Sequence, residues 1–78
     1  MRIWYTKQAL KSLRQIPNPQ RKHILEGIDH LPLGDIKKLR GYANLFRLRI
    51  GVYRILFTMG EEKITIDDVL PRGDAYRE

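Results

Sequence analysis

The sequence predicts an α+β domain: an N-terminal strand, a two-helix hairpin, then a three-stranded antiparallel meander, in the order β-α-α-β-β-β. Three observations predict it. Apolar residues recur at helical spacing through the first half. After residue 44 the period changes to two, the spacing of a strand with one buried face. Two Gly-X pairs, Gly51-Val52 and Gly60-Glu61, then stand where consecutive hairpins need turns.

The 78 residues are read as one domain, 1–78. A domain of this size buries only about 60% of the surface its unfolded chain exposes, so a thin core is expected. Arg2 to Tyr5 (RIWY) reads as the first strand, with Trp4 expected in the core. Thr6 is placed to cap a helix. Leu10, Leu13 and Ile16 follow as its inward stripe, with Lys7, Lys11 and Arg14 outside, and Pro17 ends it. Asn18-Pro19 marks the next start, with Asn as cap and Pro in the first helical position. Ile24, Leu25, Ile28 and Leu31 form the second stripe, closed by Pro32. The stretch 32–44, with its basic cluster KKLRG at 37–41, reads as a loop.

The run LFRLRIGVYRILF, 45–57, carries the most information. With a turn at Gly51-Val52, Ile50 faces Tyr53, Leu48 faces Ile55 and Phe46 faces Phe57, all on one packing face. The opposite face sets Arg49 across from Arg54, with Arg47 two residues along. Like charges directly opposite each other destabilise a sheet. The arrangement therefore costs stability unless an anion sits there. A turn at Gly60-Glu61 would set Phe57 against Ile64, Ile55 against Ile66 and Arg54 against Asp67, completing a helical layer on one face and an open basic face on the other.

Fifteen Lys and Arg against nine Asp and Glu give a net charge of +6, which favours polyanionic partners. There is no cysteine, so disulfides and thiolate metal sites are excluded. No stretch approaches the roughly 20 apolar residues of a membrane span. MRIWYTKQAL lacks the apolar core of a secretory signal, so a cytoplasmic protein is expected. Asp67 and Asp68, as strand neighbours, should point to opposite faces and not share an ion. His23 and His30 fall on the second helix or its end, as surface residues.

The order of elements, the KKLRG loop, the LFRLRIGVYRILF hairpin and the ending VLPRGDAYRE together resemble the RelE/ParE superfamily of toxins of type II toxin–antitoxin systems, the RelE branch in particular. The resemblance covers nearly the whole chain and is strongest over 37–57 and 69–77. It implies a RelE-like fold and a ribosome-dependent endoribonuclease that cuts messenger RNA and so inhibits translation. It also implies a cognate antitoxin, operator DNA bound only through the antitoxin complex, no membrane and no cofactor. Matched by motif, the catalytic positions are Arg47, Arg49, Arg54, Arg72 and Tyr76. Lys37, Lys38 and Arg40 become candidate contacts to RNA.

Such chemistry needs no metal, because RNA supplies its own nucleophile, the 2′-hydroxyl. The enzyme must align it, stabilise charge on the phosphorane and protonate the leaving 5′-oxygen. Arginine suits the second of these roles, since its planar fork contacts phosphate bidentately. Arginine stays protonated, so it is a poor general base. Tyr76 is the remaining titratable candidate, as base or as a stacking partner for a base of the message. Two other readings share the fold: a ParE-like inhibitor of DNA gyrase that cuts nothing, and an inactive relative that acts only in antitoxin and operator binding.

Overall fold

Thr6 takes the capping role its position predicts. In the computed structural model, which describes residues 2–71, its hydroxyl accepts from the Ala9 N–H at 3.0 Å and donates to the Asp67 carbonyl at 2.8 Å. One side chain thus starts helix α1 (Lys7–Arg14) and ties it to the last strand. The other elements are β1 (Arg2–Tyr5), α2 (Gln20–Asp29), β2 (Asp35–Lys38), β3 (Leu45–Ile50), β4 (Tyr53–Met59) and β5 (Lys63–Pro71). They build a mixed α+β fold whose five-stranded sheet runs β1-β5-β4-β3-β2. β1 lies parallel to β5, and every other pair is antiparallel.

The core sits between the helices and one sheet face. Ala9, Leu13, Ile16, Ile24 and Ile28 meet Leu48, Ile55, Phe57, Ile64, Ile66 and Val69. The Phe46 and Phe57 rings stack with centroids 5.5 Å apart. α2 comes close to β3 at Gly27, where a Cβ would overlap Ile50 Cδ1. The β3–β4 register is the one the sequence predicts, Ile50 with Tyr53, Leu48 with Ile55, Phe46 with Phe57 and Arg49 with Arg54. Gly51 has φ +58° and Val52 does not have positive φ, which fits the type II′ turn.

Several expectations need correction. The α1 stripe is Ala9, Leu13 and Ile16, while Leu10 is largely exposed, because the register of the short helix turns Ala9 to the sheet. α2 begins one residue later than expected, capped at Pro19 with no side-chain bond from Asn18. Leu25 is exposed, and Ile24, Ile28 and Leu31 carry the stripe. Trp4 is 53% exposed rather than core. Ile3 and Tyr5 pack inward, so strand alternation sends Trp4 outward.

The largest difference is at 35–38, expected as loop and found as edge strand β2 on β3. Four residues with a single apolar position, Ile36, give little periodic signal, and lysines are common guards of exposed sheet edges. The β4–β5 register also moves. Gly60 N–H bonds the Lys63 carbonyl at 2.8 Å, so Glu61-Glu62 forms the turn. Phe57 then pairs with Ile66 and Ile55 with Val69, with a bulge between Leu56 and Phe57. Arg54 consequently pairs with Leu70, not Asp67.

Candidate functional site

The sheet face away from the helices is where the candidate residues converge. Register places Asp35 across from Arg49, Arg49 across from Arg54, and Lys37 across from Arg47. Arg49 is exposed and Arg54 half-buried. Two arginines whose Cα positions are level on adjacent strands suit a phosphate approached from two sides.

Arg47 differs from the exposed cation the sequence suggests. Only 7% of the residue is accessible. Its Nη1 donates to the Asp35 carbonyl at 3.0 Å and to Asp35 Oδ1 at 3.2 Å. The arginine therefore straps β2 to β3. The KKLRG residues also divide. Lys37 shares the open face with Arg47, whereas Lys38 pairs with Phe46 on the helical side, and Leu39, which separates Lys38 from Arg40 in the sequence, is buried. Lys37, Lys38 and Arg40 are all exposed but form no single patch. Arg72 and Tyr76 lie outside the described residues.

The other end of the same face is polar and aromatic. A concavity of about 570 Å³ opens there, lined by Tyr42, Asn44, Leu45, Leu56, Thr58 and Asp67, among others. Thr58 Oγ1 donates to Asp67 Oδ2 at 2.7 Å. The bulge sets Asp67 outside the ladder and pairs Asp68 with Leu56, so both acids line this concavity. Their carboxyl groups nonetheless go to different partners, as expected of strand neighbours that do not share an ion: Asp67 to Thr58 of β4 and Asp68 to α1. Asp68 ties β5 to the helical layer. Its Oδ1 accepts from Ser12 Oγ of α1 and from the Val69 N–H, both at 2.7 Å. Among the described residues no three His, Cys, Asp or Glu side chains gather as a metal site would need.

Sequence reasoning missed this end. The signal for Trp4 was present in RIWY, where inward Ile3 and Tyr5 require an outward Trp4. Lys63 Nζ lies 5.7 Å from its ring centroid, on the adjacent strand. No local signal marks the concavity, since it depends on the bulge. His23 lies on α2 and His30 at its C-terminal cap, across the sheet from the arginines. His23 is exposed, and His30 Nδ1 donates to the Glu26 carbonyl at 2.7 Å. Among the described residues no helix is long and apolar enough to cross a membrane.

Comparison with known proteins matches this architecture. No family model matches the chain. Toxin RelE3 of Methanocaldococcus jannaschii is 33% identical over 85 aligned positions, covering 97% of this chain and 96% of that protein. The archaeal RelE–RelB complex from Pyrococcus horikoshii OT3 superposes with a TM-score of 0.78 at 30% identity, over 95% of this chain and 97% of that one. The RelB–RelE antitoxin–toxin complex from Methanococcus jannaschii gives 0.75 at 33% identity, over 87% and 88%. Identity at this level along nearly the whole length, on the same sheet and helical layer, makes this chain a member of the RelE toxin family.

Proposed function

We propose that this chain is a ribosome-dependent endoribonuclease that cuts messenger RNA, held inactive by a cognate antitoxin. The observation that carries the reading is Arg49 directly across from Arg54 on the open sheet face. The pair opposes like charges in a thin domain, and a phosphate between them turns that repulsion into binding.

In this scheme the 2′-hydroxyl attacks the adjacent phosphorus and the bond to the 5′-oxygen breaks. A cyclic phosphate and a free 5′-hydroxyl result. Arg54 and Arg72 grip the scissile phosphate, and Arg49 stabilises the phosphorane. Arg47, strapped to Asp35, supports the strand that presents Arg49 and adds positive potential from beneath. Tyr76 takes the 2′-hydroxyl proton or stacks on a base. Lys37, Lys38 and Arg40 meet flanking RNA or the ribosome. A message being translated places the protein in the cytoplasm. RelE relatives are found in complex with RelB, which supports an antitoxin partner for this chain; in our reading that antitoxin covers the arginine face and links the pair to operator DNA.

The test is primer extension on a reporter message in a purified translation system. Discrete new 5′ ends that need ribosomes, and that vanish in Arg54→Ala and Arg72→Ala, are expected. A message left intact by the wild type would sink the reading. Filamentation with a DNA-damage response on induction would then point to gyrase. Tyr76→Phe cutting at the wild-type rate would remove the base role and leave stacking.

A further inference from the structure

The open face has two chemically different ends. Along one row Trp4 is level with Thr65, Thr65 with Thr58, and Thr58 with Leu45. Beside this row lie Tyr42, Asn44 and Asp67 around the 570 Å³ concavity. The Arg49–Arg54 pair lies four residues back along β4 from Thr58, about 13 Å at the usual strand rise. One end is built for phosphate. The other carries two carboxylates, Asp67 and the Asp68 that Ser12 holds, which repel phosphate, together with an amide, a hydroxyl, apolar side chains and a half-exposed aromatic ring. That composition suits a base edge rather than a backbone.

We propose that this concavity is a nucleobase pocket that takes one unstacked base of the message bearing an exocyclic amino group: adenine, cytosine or guanine in preference to uracil. The inference deepens the RNA-cleavage reading and rests on it. Its volume falls within the range of small-molecule sites, about 300–1,000 Å³. Single-stranded RNA is read by splaying out bases, stacking them on aromatic side chains and bonding their edges. Here Leu45 and Leu56 line the apolar wall, and Tyr42, 49% exposed, brings an aromatic ring to the rim. Asp67 Oδ2 takes the Thr58 hydroxyl, which fixes the carboxylate's orientation. Oδ1 can then accept from an amino group. Uracil offers carbonyl oxygens on both sides of its single N–H, and a carboxylate repels them. Asn44 supplies both a donor and an acceptor for the neighbouring ring position. The bulge has a use in this arrangement, since it takes Asp67 out of the ladder and sets it at the pocket. Phosphate contacts at the arginines would set position, and this pocket would set sequence.

The experiment is an NMR titration of the full chain with AMP, CMP, GMP and UMP. The amide signals of Asn44, Thr58 and Asp67 should move with the three amino-bearing nucleotides at about five- to tenfold lower concentration than with UMP. Asp67→Asn keeps an acceptor for Thr58 and should erase or reverse that order. Tyr42→Ala should weaken all four, with the rest of the amide spectrum showing that the fold is kept. No movement at these amides, or UMP equal to the rest, overturns the pocket whether or not the protein cuts RNA. Base-selective shifts with an intact message would support the pocket and overturn the nuclease. Cleavage with no base preference at any position near the cut would support the nuclease and overturn the pocket.

Discussion

Replacing Asp35 by alanine tests whether Arg47 is a strap or a site residue. The Arg47 side chain is 9% accessible and that of Asp35 59%. Two terms bracket the cost. A hydrogen bond to a charged group contributes about 1.5–3 kcal/mol, while an exposed ion pair contributes about 0–1 kcal/mol. With one partner buried and the other mostly in water, the expected loss is about 1.5 kcal/mol. The backbone carbonyl of Asp35 still accepts at 3.0 Å, so the guanidinium keeps that partner and the loss stays below that of a fully buried pair. For a domain of this length that is roughly 6–12 °C in Tm. Asp35→Asn keeps an acceptor and loses the charge, so about half the cost is expected. Raising salt from about 0.1 M to 1 M shortens the Debye length from about 10 Å to 3 Å. The buried Arg47 end should preserve most of the difference. The assay is urea unfolding followed by circular dichroism, with both variants at both salt levels. Asp35→Ala within about 0.3 kcal/mol of wild type, or Asp35→Asn costing as much as Asp35→Ala, would refute the reasoning.

Gly27→Ala sets a helix-propensity gain of about 1 kcal/mol against displacement of Ile50 Cδ1, while Ile50 Cγ1 lies at 3.1 Å. Ile50 borders a small surface hollow of about 280 Å³ into which it can turn, at about 0.5–1.5 kcal/mol for an off-rotamer side chain. Near-neutral stability is expected alone. In an Ile50→Val background, where the overlapping atom is gone, a net gain of about 0.5–1 kcal/mol should appear in a double-mutant cycle. Burial, and then the charge of Asp29, raise the Tyr5 phenol above its ordinary value. The folded state therefore holds this proton above about pH 10, where the unfolded state has released it, and stability falls as pH rises through that window. Tyr5→Phe should show a shallower alkaline loss between about pH 9.5 and 11 in thermal melts, and an unchanged slope would count against the assignment. Thr6→Ala removes both the cap and the bond to the Asp67 carbonyl, so about 1–2 kcal/mol should be lost in urea unfolding. Thr6→Ser should recover most of it.

What the sequence made legible, and what it hid, follows from the range of the forces involved. The helix cap at Thr6 and the β3–β4 register were readable because each depends on residues close in sequence. Gly51 uses a left-handed φ that only the turn requires, and once it is placed, alternation fixes Arg49 against Arg54. Gly60 carries the same local signal but does not adopt positive φ, so Phe57 meets Ile66 instead of Ile64. β2 was hidden because Asp35–Lys38 gains its pairing from β3 rather than from its own composition. The bulge at Asp67 was hidden because nothing nearby is a glycine or proline. Both hidden features shape the candidate site. β2 delivers Asp35 to Arg47, which buries a guanidinium that the sequence places on an open face. The bulge moves Asp67 from its expected place opposite Arg54 to the concavity beside Thr58, which leaves the arginine pair and the acid at opposite ends of the face. Local rules fail at places where tertiary structure overrides them, and functional sites are prominent among those places. Here the two failures fall on the same sheet face, at opposite ends of one path that a single strand of RNA could follow.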